Sequence, residues 1–188
     1  MIDAEVRKAK EVISSGGVIL YPTDTIWGIG CDATNAEAVK KVYQIKKRAD
    51  HKSMLVLVSD KEMLKKYLKK IPEKALEIIE KASKPTTIIY PGAMNLAPNL
   101  LAEDGSVGIR ITTDEFCMKL IKQAGFPVVS TSANTSGNPA PLSFRTIESE
   151  LLQKVDHVVN WRQLEHAPAA PSTIIKVDKN GETTVLRP

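Results

Sequence analysis

"VVSTSANTSGNPAP", Val128 to Pro141, runs two β-branched apolar residues straight into six hydroxyl or amide side chains. Only Ala133 interrupts the polar set, and Gly137, Pro139 and Pro141 then bar regular structure. The valines read as the start of a buried strand. Hydroxyls and amides at its end cannot stay buried without partners. A surface loop does not need so dense a set, whereas a site that hydrogen-bonds a polar small molecule at close range does. Ligands gather at strand ends in α/β folds, so the stretch reads as a strand feeding a binding loop.

Working outward, "FPVVST" (126–131) is preceded by a helix, "TTDEFCMKLIKQAG" (112–125), closed by Gly125. Before it stands a strand, "SVGIRI" (106–111). On the other side, "SFRTIESELLQKV" (143–155) has helical spacing and "HVVN" (157–160) reads as a short strand. Toward the N-terminus, apolar residues at helical spacing span 3–15 and stop at Gly16-Gly17. "GVILYP" (17–22) is a buried strand broken by Pro22. "TNAE" (34–37) and "SDKE" (59–62) have capping-box spacing, and the first predicts a helix over 35–46. "MLVLV" (54–58) and "TTIIYPG" (86–92) are further strands, with a helix opening at Pro72 between them. The run "KEMLKKYLKKIPEK" (61–74) reads as an exposed helical face. The final "STIIKVDKNGETTVLRP" (172–188) has two β-rich arms around Asn180-Gly181, a strong hairpin signal.

Strands and helices mix without the regular alternation of a dinucleotide fold, and neither GxGxxG nor GxxxxGK[ST] occurs. No repeat or linker divides the chain. The expectation is one α/β domain over 1–188, a twisted mixed sheet with flanking helices.

Composition agrees. The 188 residues are 43% hydrophobic and 26% charged, a globular mix long enough for a full core. No apolar run approaches the roughly 20 residues that span a bilayer, and the charged start "MIDAEVRKAKEVI" is not a signal peptide. A cytoplasmic location without membrane contact is expected. Cys31 and Cys117 form no CxxC pair and the histidines are only His51, His157 and His166, so reduced thiols and no zinc site are expected. The net charge of +4 and pI near 9.0 favour anionic partners, though a solvated lysine-rich surface explains them equally well.

The remaining polar clusters also sit at element ends. "YPTDTIWG" offers Thr23, Asp24 and Thr25, and alone it also reads as a turn with a helix cap. "KKRADHKS" groups Lys46, Lys47, Arg48 and Lys52 at a helix end, where cations complement the dipole in any case. Arg48 is its best phosphate candidate, because a guanidinium fork binds phosphate at two points. In "SVGIRIT", alternation puts Gly108 and Arg110 on the face opposite Val107, Ile109 and Ile111. Such an arginine needs an anion, either a structural acid or a ligand. Gly108 beside it favours a ligand. Ser172, Thr173 and Arg187 are brought together by the hairpin. No GxSxG elbow, triad context or paired acids stand out. The inventory suits reactions run by positioning and charge stabilisation, such as nucleotidyl transfer.

Taken in order, "GGVILYPTDTIWGIGCDA", the "KKR…K" cluster, "GSVGIR", "VVSTSANTSGNPAP", "PSTII" and "VLRP" resemble the YrdC/TsaC family, the threonylcarbamoyl-AMP synthases. The resemblance implies a twisted α/β sheet around a concave, positively charged cavity. It implies that L-threonine, bicarbonate or CO2, and ATP give threonylcarbamoyl-AMP and pyrophosphate. The threonine amine takes up CO2, and a carbamate oxygen attacks the α-phosphate. The product feeds threonylcarbamoyladenosine formation in tRNA through a separate transferase of the TsaD/Kae type. Magnesium enters with ATP, with no metal held by protein side chains and no organic prosthetic group.

Carried over by position, the resemblance assigns threonine to Thr25, Arg110, Ser130, Thr131 and Ser172. It assigns ATP to Arg48, Lys52, Ser106, Ser132, Asn134 and Arg187, with Arg48, Lys52 and Arg110 as the catalytic cations. Arg110 is expected to serve the threonine carboxylate rather than a structural acid. Trp27, Met54 and Leu57 depart from the family pattern around the amino-acid pocket, where tyrosine, proline and a polar residue are common. The chain resembles the short form, without the extra C-terminal domain of long members. Two alternatives share the fold: a YciO-like paralogue, and a module binding tRNA or double-stranded RNA. The aromatic content of 5% gives the latter little base-stacking surface.

Overall fold

The computed structural model describes residues 1–47, 54–165 and 170–188. Helix α1 (Ile2–Ser14) buries Val6, Ala9 and Ile13 at helical spacing. It ends where Gly16 takes φ +79°, a conformation that glycine adopts freely. Strands β1 (Ile19–Tyr21) and β2 (Gly28–Gly30) pair antiparallel. Then come α2 (Ala36–Ile45), β3 (Leu55–Val58), α3 (Lys61–Lys65), α4 (Glu73–Lys81) and β4 (Thr86–Tyr90). The chain continues through β5 (Val107–Ile111), α5 (Glu115–Ala124), β6 (Val128–Ser132), α6 (Ser149–Lys154) and β7 (His157–Val158). It finishes with β8 (Thr173–Val177) and β9 (Thr183–Arg187).

The strands form one sheet in the order β7-β1-β2-β6-β3-β5-β4-β8-β9. It is mixed: β1–β7, β3–β5 and β4–β8 are parallel, and the other pairs antiparallel. The centre is the most apolar part. Val56, Leu57 and Val58 of β3 and Val128 and Val129 of β6 are fully buried, which is why both read as short continuous apolar runs. Helices α1 and α5 pack on each other, and α5 lies against β3. Among the described residues, no helix is long and apolar enough to cross a membrane.

Several local expectations are corrected. Both capping boxes are offset by one residue. Asn35, not Thr34, accepts from Glu37 and Ala38, and Asp60, not Ser59, accepts from Met63. Asn35 and Asp60 stand at the N-cap positions and their side-chain oxygens accept the orphan amides, while Thr34 donates to Asp32. The lysine run is not one helix. It stops at Lys65, and Leu68 bridges to Ala93. The single helix over 143–155 is two pieces, a 3-10 turn at Phe144–Thr146 and then α6, separated by extended backbone at Ile147. The hairpin forms, but through a longer loop than Asn180-Gly181 alone. Only Gly181 has positive φ there, and Asp178 caps the turn with bonds from Asn180 and Glu182. Both cysteines are free and buried.

Candidate active site

The ends of β2, β3, β4, β5, β6 and β8 and one residue of β9 enclose a cavity of about 290 Å³. Its wall includes Thr25, Thr87, Arg110, Ser130, Thr131, Ser132, Ser172 and Arg187, over an apolar base from Ile26, Met54, Leu55, Ile89 and Ile174. Seven of the residues singled out from the sequence therefore share one space: Thr25, Arg110, Ser130, Thr131, Ser132, Ser172 and Arg187. Ser106 and Asn134 are not on its wall. Ser106 is buried beside Asp104, which accepts from its backbone amide. Asn134 is spent internally, accepting from Lys46 and Ser132 and donating to the Asn138 carbonyl. Arg48 and Lys52 lie outside the described residues.

Pairing with β3 and β4 fixes β5 so that Gly108 and Arg110 face the cavity. A Cβ at Gly108 would meet Thr87 Cγ2 at 3.4 Å and Leu55 Cβ at 3.6 Å, ordinary contacts. The bare backbone there widens the floor without being sterically required.

Arg110 corrects one expectation. Its guanidinium already has an acidic partner: Nη2 donates to Asp24 Oδ1 at 2.9 Å, with both side chains almost wholly buried, and to Thr25 Oγ1 at 3.3 Å. Nη1 has only a long contact to Thr87 Oγ1, 3.4 Å, and Nε is buried without a partner among the described residues. Scaffold and site thus share this arginine. A network continues from it. Thr87 Oγ1 lies 2.8 Å from Ser172 Oγ, and Arg187 donates from Nε to the Ser172 carbonyl at 2.7 Å. Burial and the charge of Arg110 push the Arg187 guanidinium below its ordinary pKa. Two guanidiniums on one cavity wall favour an anion between them.

The loop bearing Asp24 and Thr25 is fixed from within and without. Thr23 Oγ1 accepts from the Thr25 amide at 3.1 Å and donates to the Ile26 carbonyl at 2.7 Å. From outside, Arg162, at a φ of +60° unusual for arginine, donates to the Thr23 carbonyl and to Asp114. Lys46 is buried and donates to the carbonyls of Ser132 and Asn134, pinning the loop after β6. From sequence Lys46 read only as one of the helix-end cations. Thr87, Lys46 and Arg162 were not named as site residues, because strand register and long-range contacts bring them in.

The three departures from the family pattern separate. Trp27 packs on Phe144, ring centroids 4.9 Å apart, and does not line the cavity. Leu57 is buried in the sheet beside Arg110. Only Met54 reaches the wall.

Thr87 gives a direct test of the network. Thr87→Val keeps the shape but removes the hydroxyl between Arg110 and Ser172. It is expected to cost about 1–2 kcal/mol, a Tm lower by about 2–8 °C. An unchanged melt would show that the 2.8 Å contact carries no stability.

Among the described lining residues there is no histidine, cysteine or carboxylate, so none can serve as base for a serine nucleophile. What remains are hydroxyls and two guanidiniums, groups that bind and neutralise anions. Fold and cavity define an α/β domain whose strand ends carry a polar cavity with two arginines on its wall, chemistry suited to an anionic small molecule.

The family model Sua5_yciO_yrdC, described as telomere recombination, matches residues 11–188, and the chain belongs to this family. A threonylcarbamoyl-AMP synthase of Stutzerimonas stutzeri (strain A1501) is 32% identical over 159 residues, 84% of this chain and 85% of that protein. The crystal structure of P. abyssi Sua5 complexed with L-threonine matches with a TM-score of 0.86 and 25% identity over 97% of this chain. The chain spans about half of the Sua5 length, 53%. E. coli YciO matches with a TM-score of 0.82 over 100% of this chain and 89% of its own, but at 23% identity this is a likeness of fold alone.

Proposed function

We propose that the chain is an L-threonylcarbamoyladenylate synthase acting in the cytoplasm. The observation that carries this reading is the single cavity in which Arg110 and Arg187 stand among the hydroxyls of Thr25, Ser130, Thr131, Ser132 and Ser172. Threonine places its carboxylate at Nη1 of Arg110, the loosely engaged nitrogen, and its polar groups among Thr25, Ser130, Thr131 and Ser172. The ATP phosphates lie toward Arg187 and Ser132, with Arg48 and Lys52 as further phosphate ligands. Ser106 and Asn134 then support the nucleotide side indirectly, from behind the wall.

The reactants supply nucleophile and leaving group. The threonine nitrogen attacks CO2 and loses a proton, giving a carbamate. A carbamate oxygen bonds to the α-phosphorus of ATP, and pyrophosphate departs with the bonding pair. The protein holds two anions in line and stabilises the charge that builds between them. Magnesium, when bound, neutralises the triphosphate. The described wall offers it hydroxyl oxygens and no carboxylate, which fits an ion carried in on the nucleotide's own phosphates. The downstream partner in this reading is a transferase of the TsaD/Kae type acting on tRNA.

The test is pyrophosphate release with ATP, magnesium, bicarbonate and an amino acid. Threonine is expected to drive release, serine somewhat less, since one methyl is worth about 1–3 kcal/mol. Valine is expected to fail, because it leaves the hydroxyl-lined wall unpaired. Release that ignores the amino acid would make the protein an ATP pyrophosphatase. No release from folded protein would end the synthase reading and leave a YciO-like binding domain.

A further inference from the structure

Among the described residues, Asp24 is the one carboxylate in contact with the arginines of the cavity wall, and it does not line the cavity. It stands behind the wall, about 7% exposed, and holds Nη2 of Arg110 at 2.9 Å. Among the described residues, two arginines on the wall carry a charge of +2, and this buried carboxylate brings that set to +1. A pocket that must accept a carboxylate beside a triphosphate has a discrimination problem, because phosphate oxygens bind a guanidinium fork as well as a carboxylate does. Doubling the positive charge would worsen it.

We propose that Asp24 is a specificity-determining residue that matches the Arg110 subsite to a monoanionic carboxylate and keeps dianionic phosphate-like groups out of it. The inference rests on the synthase reading for the identity of the carboxylate, but the charge selection belongs to the residues themselves. Asp24 acts in two ways. Its bond fixes the guanidinium so that Nη1 remains for the ligand. Its buried negative charge opposes every unit of ligand charge about equally, so a dianion loses about twice what a monoanion loses, and the poorly solvated wall leaves that difference weakly screened. Thr25 and Thr87 complete the hold on Arg110 with uncharged oxygens, so they add geometry without changing this balance.

Anion binding to the protein alone, without ATP or threonine, tests this by calorimetry with acetate and sulfate as probes. In the wild type, sulfate is expected to gain no advantage over acetate. Asp24→Asn keeps an acceptor oxygen for Nη2 and removes the charge, so sulfate is expected to overtake acetate by about tenfold or more. The gain is expected to vanish in the Asp24→Asn/Arg110→Gln double variant. Sulfate favoured tenfold in the wild type, an unchanged ratio in Asp24→Asn, or a gain that survives loss of Arg110 would each overturn the proposal. Should Asp24→Asn not fold, the wild-type ratio decides alone. A protein that shows the filter but releases no pyrophosphate loses only the synthase reading.

Discussion

Arg110→Met is expected to lose about 3–5 kcal/mol of stability together with all measurable threonine affinity. The stability term follows from Asp24, whose carboxylate is left buried without its ion-pair partner. Arg110→Lys separates the two roles. An ammonium still places a positive charge near Asp24, so less stability is lost. It cannot reach Asp24, Thr25 and Thr87 at once and still leave a nitrogen for a carboxylate, because it lacks the planar fork. Threonine affinity in Arg110→Lys is expected to fall at least about tenfold, the loss of one charge-assisted bond. A melt beside a threonine titration reads both. Wild-type affinity with a lowered Tm would assign Arg110 to the scaffold alone.

Gly30→Ala is expected to abolish the soluble fold. A Cβ at Gly30 would stand 2.1 Å from the Val129 carbonyl oxygen and 2.8 Å from Tyr21 Cε1. The first is backbone of the neighbouring β6, so no rotamer relieves it. The second is a fully buried ring whose hydroxyl donates to that same Val129 carbonyl at 2.9 Å. Separating β2 from β6 breaks interior pairing, and the cost exceeds the roughly 1–3 kcal/mol of ordinary overpacking. It approaches the whole stability of about 5–15 kcal/mol typical of a domain. Gly28→Ala is the control. Its Cβ meets nothing closer than 3.4 Å, so that variant is expected to fold. Soluble yield and far-ultraviolet dichroism of the pair decide. A folded Gly30→Ala would mean the sheet yields at this point.

These two residues mark where sequence reading reached and where it stopped. Arg110 was legible because an arginine alternating with Val107, Ile109 and Ile111 announces itself. The bias toward a ligand overlooked that one guanidinium can serve a buried acid with Nη2 and keep Nη1 for the cavity. The apolar runs of β3 and β6 were legible for the same reason, since each is buried on both faces. The strand at Gly28–Gly30 was not. Glycine is depleted in strands, so "GIG" carries no strand signal along the chain. Glycine is the residue that fits this strand, because the Val129 carbonyl and the Tyr21 ring fill the space where a side chain at residue 30 would stand. That reason lies in β1 and β6, invisible along the chain. The capping residues were missed by one position, a distance that pattern alone does not resolve. Thr87 escaped because only the register of β4 against β8, with Thr86 opposite Thr173, sets it beside Ser172.

The cavity wall draws on residues 25, 87, 110, 130–132, 172 and 187, so no contiguous piece of chain holds a usable part of it. Occupancy is therefore linked to unfolding of the whole sheet rather than to local opening. A ligand at 100 times its dissociation constant adds about 2.7 kcal/mol to global stability. That increment is expected to slow exchange at the buried amides of β3, β4, β5 and β6, which open only with the whole sheet, where a site built on one mobile loop would protect only its own neighbourhood. Ligands of this cavity are in effect conformational chaperones for the entire chain.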